Sequence, residues 1–295
     1  MHIKIFLVGS FMGVKVTETT TIRELVEIIL TKYQAPIEYA KMCTIAAKKG
    51  NEYALTLQHN ELVINYESYM LFFRIINFFT KEQDIELVHP MYLQLTQLQM
   101  HKLIIDNLWL IDQITAYSLA AFQCGIEFGP YSNQQIGFID NTIKSIISSQ
   151  FIDKKKHIQQ NIIDKWKEYT ERGLVENKQK AILNYLQTAA EWIPQFGTYV
   201  INCRLLNQDY QVIGIDCFLC VSSNKCMIIN QLRQFIINSD WQVVDFQISA
   251  TDPKRFSIKI NKQTFEFQCE QIVGFSKIIE WQRQCTYDTI LQIQE

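Results

Sequence analysis

Glycine and proline are scarce in this chain, ten and five among 295 residues. So few glycines leave little material for phosphate-cradling loops, and neither G-x-G-x-x-G nor a phosphate loop is present. A G-x-S-x-G nucleophile elbow is missing as well. The five histidines, at positions 2, 59, 89, 101 and 157, stand apart, so none has the spacing of a metal-ligand pair. With these parts absent, no catalytic residue, cofactor or metal is expected, and the chain reads as a non-enzyme.

A charge excess is lacking too. The net charge of −2 gives no overall reason to expect nucleic acid as a partner. The balance is uneven locally: residues 81–140 carry two Lys/Arg against seven Asp/Glu, net −5, and residues 141–196 carry nine against six, net +3. No apolar run reaches the roughly 20 residues that a spanning helix needs. The longest, Tyr69 to Phe79, is broken by Arg74 and Asn77. The opening His2 to Val8 meets Gly9-Ser10 and does not read as a secretory leader. Eight cysteines are scattered, and only Cys217 and Cys220 have metal-like spacing, with no second pair to complete a site. A reduced, cytoplasmic chain is the expectation.

What is present starts with a charge-free run, Gln113 to Ile126 (QITAYSLAAFQCGI), between Asp112 and Glu127. Apolar or small residues on nearly every face predict a buried helix. Asp112 suits its N-cap and Gly125 the left-handed residue beyond its end.

Three regions flank or contain this helix. In residues 1–80, Ile3, Ile5 and Leu7 alternate as a strand, and Gly9 and Gly13 bracket a hairpin turn. Thr21 and Glu24 have capping-box spacing, and Ile22, Leu25, Val26, Ile29, Leu30 and Tyr33 form one helical stripe. Strands near 42–48, 52–57 and 69–77 complete the order of a ubiquitin-like β-grasp. Residues 81–196 read as a helical bundle, with helices from Pro90 to Ile105, at 113–124, 134–149 and 157–171, and from Glu176 to Trp192. Residues 197–295 read as seven short strands: Tyr199–Leu205, Gln211–Ile215, Phe218–Val221, Gln234–Ile237, and the runs around Phe246, Ile258 and Phe267. One helix near 270–284 closes them, the layout of a pleckstrin/phosphotyrosine-binding-like module.

This α+β, three-lobe order resembles a FERM domain, the module of ezrin, radixin, moesin, talin and unconventional myosin tails, over essentially the whole chain. Tyr69 to Ile76 (YMLFFRII) is similar to the last strand of the family's first lobe, and Ala116 to Tyr131 to its central-lobe helix. Ala181 to Gly197 is similar to the junction into the third lobe, and Gln271 to Trp281 to that lobe's last helix. Ile213 to Cys217 is only a loose match to a third-lobe turn.

The resemblance implies a membrane–cytoskeleton adaptor, cytoplasmic and peripheral at membrane or cytoskeleton. Its expected partners are a membrane protein's cytoplasmic tail or another extended peptide, acidic phospholipid headgroups, and actin or microtubule machinery through a longer parent chain. It also implies a peptide groove between the third lobe's fifth strand, about Gln242 to Ser249, and its helix. Gln247, Ile248, Ser249, Ile272, Phe275 and Ile279 would line that groove, with main-chain pairing at an edge strand supplying the affinity. Lys48, Lys49, Lys254 and Arg255 are candidates for a phosphoinositide site. The triplet Lys154-Lys155-Lys156 is either a solvated helix start or a contact for acidic lipid. Two other readings stay open: a cargo-binding tail fragment of a motor protein, and carriage of an acyl-CoA in the helical lobe.

Overall fold

The computed structural model describes residues 1–8, 10–50, 55–76, 88–132, 136–209, 211–222 and 225–284. The chain divides into two compact units, Met1–Phe78 with Thr198–Glu295, and Phe79–Gly197.

The first unit holds two sheets. Strands β1 (His2–Leu7), β2 (Ser10–Lys15), β3 (Cys43–Lys48), β4 (Leu55–Thr56) and β5 (Met70–Ile75) run in the order β2-β1-β5-β3-β4. β1 lies parallel to β5 and antiparallel to β2. Helix α1 (Ile22–Lys32) buries Ile22, Leu25, Val26, Ile29 and Leu30, and the sheet contributes Ile5, Val14, Ile45, Leu71 and Ile75 to the buried set. The capping box forms as its spacing requires: Thr21 donates its N–H to Glu24 at 2.7 Å, and Glu24 returns its own to the Thr21 hydroxyl at 3.2 Å.

The second sheet has seven strands, β6 (Tyr199–Gln208), β7 (Gln211–Val221), β8 (Lys225–Asn230), β9 (Phe235–Asp240), β10 (Asp245–Ile248), β11 (Arg255–Ile260) and β12 (Gln263–Gln268). Their order is β10-β11-β12-β6-β7-β8-β9, every neighbouring pair antiparallel. Helix α7 (Ile272–Gln284) closes the core with Ile272, Phe275, Ile278 and Ile279. Lys277 on α7 pairs with Glu61 of the β-grasp at 3.2 Å.

One expectation here needs correction, and one strand was not foreseen. Gln211–Ile215 and Phe218–Val221 are one strand, β7, so Ile213 to Cys217 is not a turn. Gly214 adopts φ +72° inside it, and burial switches at Cys217 from an exposed half to a buried one, which imitates a break. Strand β8 went unread because Cys226, Met227, Ile228 and Ile229 are all buried and give no alternation.

The second unit is all helix among its described residues: α2 (Pro90–Ile105), α3 (Gln113–Phe128), α4 (Ile136–Ile146), α5 (Lys155–Glu171) and α6 (Lys178–Trp192). Every residue of α3 from Thr115 to Gly125 is buried. Asp112 caps the helix by accepting the Thr115 N–H at 2.8 Å. Gly125 does not end it: the helix runs to Phe128, and Gly129, at φ +81°, is the terminating residue. Trp166 on α5 fixes that exit by donating its indole N–H to the Gly129 carbonyl at 3.0 Å, with Tyr131 edge-on to its ring.

Candidate peptide- and lipid-binding surfaces

β10 is a terminal strand of its sheet, pairing only with β11 among the described residues. It is shorter than the sequence suggested: Trp241–Val243 forms a 3-10 turn, leaving Asp245–Ile248 extended. Because a strand at an edge has one side of its backbone unpaired, β10 offers N–H and C=O groups to an incoming chain.

The six predicted groove residues part into two groups. Gln247 is exposed and reaches the Asp245 carboxylate at 3.2 Å. Ile248 is half-buried and lies opposite Phe256. Ser249 is half-buried, and its hydroxyl accepts the N–H of Asp252 at 3.2 Å, tightening the turn into β11. Ile272, Phe275 and Ile279 are core instead, 0%, 3% and 2% exposed, within one cluster with Phe256, Ile258 and Phe267. The helix stripe that suggested a lining is the stripe that closes the sandwich. Sequence reasoning omitted Phe246, a half-buried edge-strand residue whose ring centroid lies 5.3 Å from that of Phe256. Its alternation with Ile248 was the available signal.

The cationic candidates also separate. Lys254 pairs with Glu270 at 2.7 Å and Arg255 with Asp252 at 3.1 Å, both in exposed ion pairs of the kind worth under about 1 kcal/mol. A headgroup there must compete with a resident carboxylate. Lys48, half-buried, ends β3, and Lys49 is exposed with its ammonium 5.6 Å from the Tyr69 ring. Lys154 ends a 3-10 turn and Lys155 and Lys156 open α5; their side chains lie outside the described part.

Buried thiols cluster in the same sandwich. Cys203 and Cys217 face each other across β6 and β7 with sulfurs 3.4 Å apart. Burial pushes the Cys203 thiol well above its usual range, and pushes Cys226 up to about 12 and Cys269 up to about 11. No three His, Cys, Asp or Glu side chains gather as a metal site among the described residues.

Residues 82–200 match the family model described as the FERM central domain. The chain matches a solved complex of the FERM and C-terminal domains of Drosophila Merlin, with TM-score 0.72 at 14% identity, over 96% of this chain and 94% of that one. This chain has the FERM fold. It is also similar to the human myosin 7b MyTH4-FERM domain, solved with a harmonin-a PDZ3 domain (TM-score 0.73, 11% identity), and to the Dictyostelium discoideum myosin VII MyTH4-FERM MF1 domain (0.72, 15%). All of this chain aligns in both cases, spanning 60% of each of those longer chains. No curated protein matches it by sequence. The β-grasp, helical bundle and helix-closed sandwich are therefore the three lobes of a FERM fold. No helix among the described residues is long and apolar enough to cross a membrane.

Proposed function

We propose that the chain is a non-catalytic adaptor that takes an extended peptide at the β10 edge of its third lobe, as part of a membrane–cytoskeleton linkage in the cytoplasm. The observation that carries this reading is the open side of β10, with half-buried Phe246 and Ile248 alternating beside exposed Gln247. Main-chain pairing supplies affinity there and the alternate side chains supply specificity. Ile272, Phe275 and Ile279 belong to the core cluster against which Phe246 and Ile248 pack.

A cytoplasmic receptor tail is the peptide class that fits, and acidic phospholipid is a second ligand, bound through Lys48 and Lys49 with Lys154–Lys156. Lys254 and Arg255 join only if their acidic partners yield. Attachment to actin or microtubule machinery would need a longer parent chain, and the likeness to two myosin MyTH4-FERM domains makes a cargo-binding motor tail the second reading.

Amide protection of Asp245 to Ile248 in hydrogen exchange, measured with and without a candidate tail peptide, tests the first half. Added protection at those amides, lost in Ile248→Asp, is expected; binding without it rejects the edge. Equal pelleting with vesicles containing and lacking phosphatidylinositol bisphosphate rejects the second half.

A further inference from the structure

The outer face of the β-grasp sheet is cationic and aromatic. Strands β1, β2, β3 and β5 carry four Lys or Arg residues and no Asp or Glu. The pairing register places all four cations on one face. Phe6 lies opposite both Phe11 and Phe72, and Lys4 precedes Phe6 by two residues. Lys15 lies opposite His2, Lys48 opposite Met70, and Arg74 follows Phe72 by two. Residues two apart on a strand share a face. The other face carries Ile5, Val14, Leu71 and Ile75, all buried.

The aromatic rings on this face form a row across three strands. Phe6 and Phe72 have centroids 5.3 Å apart, and Phe11 is 64% exposed. Two of the cations rest on these rings: Lys4 Nζ lies 3.7 Å from the Phe11 centroid and 5.0 Å from that of Phe6, and the Arg74 guanidinium lies 5.8 Å from that of Phe72. None of the four cations joins an ion pair among the described residues. The Arg74 Nε–H is buried with no acceptor there. Four like charges on one sheet face repel one another until an anion arrives.

We infer that this face docks an acidic, extended segment of a partner protein. The charge selects an anion, and the spacing selects a peptide. Along a strand, side chains on one face recur every ~7 Å, which matches alternate side chains of an extended chain. Carboxylates on the partner meet Lys4, Lys15 and Arg74, and apolar side chains between them rest on the edges of Phe6, Phe11 and Phe72. Single-stranded nucleic acid is disfavoured because stacking needs open ring faces, and Lys4 and Arg74 already lie over these. This docking uses the first lobe alone and is independent of β10.

Fluorescence anisotropy on the full chain tests it. The probe is a fluorescein-labelled peptide of about 12 residues alternating Glu with Leu and Ser, against the same peptide with Lys for Glu. Binding of the Glu probe alone, weakened about tenfold or more by Lys4→Glu with Lys15→Glu and by Phe11→Ser, supports the inference. Lys262→Glu, on the third lobe, should leave binding unchanged. Equal binding of the two probes overturns it, as does indifference to the double charge reversal. A thymidine oligonucleotide or a phosphatidylserine vesicle that binds more tightly through the same residues overturns the choice of occupant. Every substituted residue is exposed, and circular dichroism of each variant confirms that the fold is retained.

Discussion

A Cβ placed on Gly125 would lie 2.6 Å from the Cγ1 of Val175. Val175 is fully buried, so the central helix is held there by backbone against a side chain with no room for a methyl group. Gly125→Ala gains about 1 kcal/mol of helix propensity, and contacts under 3 Å to both Cβ and Cγ1 of Val175 put the overpacking cost at the upper end, about 2–3 kcal/mol, a net loss in chemical denaturation. Combining it with Val175→Ala should recover part of that loss, so the cycle shows a favourable coupling.

His101 Nε2 meets the Ser145 carbonyl at 2.6 Å and Nδ1 meets the Tyr185 hydroxyl at 3.1 Å, tying α2 to α4 and α6. The carbonyl can only accept, so Nε2 carries the hydrogen and the Tyr185 O–H donates to Nδ1 in the neutral ring. Burial holds the imidazole below its usual 6.5, against the opposing pull of the Ser145 bond. The folded state then binds fewer protons than the unfolded one. Stability is fully present above pH 6.5 and falls as the pH drops below it. His59, shifted the same way chiefly by burial, adds a similar loss in the β-grasp. Urea titrations between pH 7.5 and about 5 check the slope, which His101→Gln should reduce.

The seven described cysteines are all buried. Alkylation proceeds through the thiolate, which burial suppresses at Cys203, Cys226 and Cys269. Mass spectrometry after iodoacetamide at pH 8 should find these three unmodified in the native protein and labelled in guanidinium. Rapid native labelling of Cys226 would contradict its placement in the core.

Phe275 is 3% exposed and its ring centroid lies 5.5 Å from that of Tyr199. Phe275→Asp should destabilise the sandwich by more than about 3 kcal/mol, since it both opens a cavity and buries a charge. It is therefore a poor probe of peptide binding. Ile248→Asp, at a half-buried edge position, should cost under about 2 kcal/mol and leave the fold intact.

Local signals carried much of the fold. The Thr21–Glu24 box, the stripe from Ile22 to Leu30 and the charge-free run after Asp112 act within one or two turns of chain. Their meaning survives without knowing what lies opposite. Gly125 was misread because a glycine near a helix end and a glycine against a packed side chain look alike until Val175 is in place. The burial of Ile272, Phe275 and Ile279 was not legible for a related reason: an apolar stripe on α7 marks burial without saying whether core or ligand covers it.

Sequence by itself determined the helical stripes, the N-caps at Thr21 and Asp112 and the three-lobe plan, because hydrophobic period and capping are short-range. Tertiary structure decided which strand stands at an edge, which cations already hold carboxylates, and that Lys4, Lys15, Lys48 and Arg74 share one face. Those facts depend on strand register, which brings together residues as distant as Phe6 and Phe72, and no local pattern encodes such a pairing.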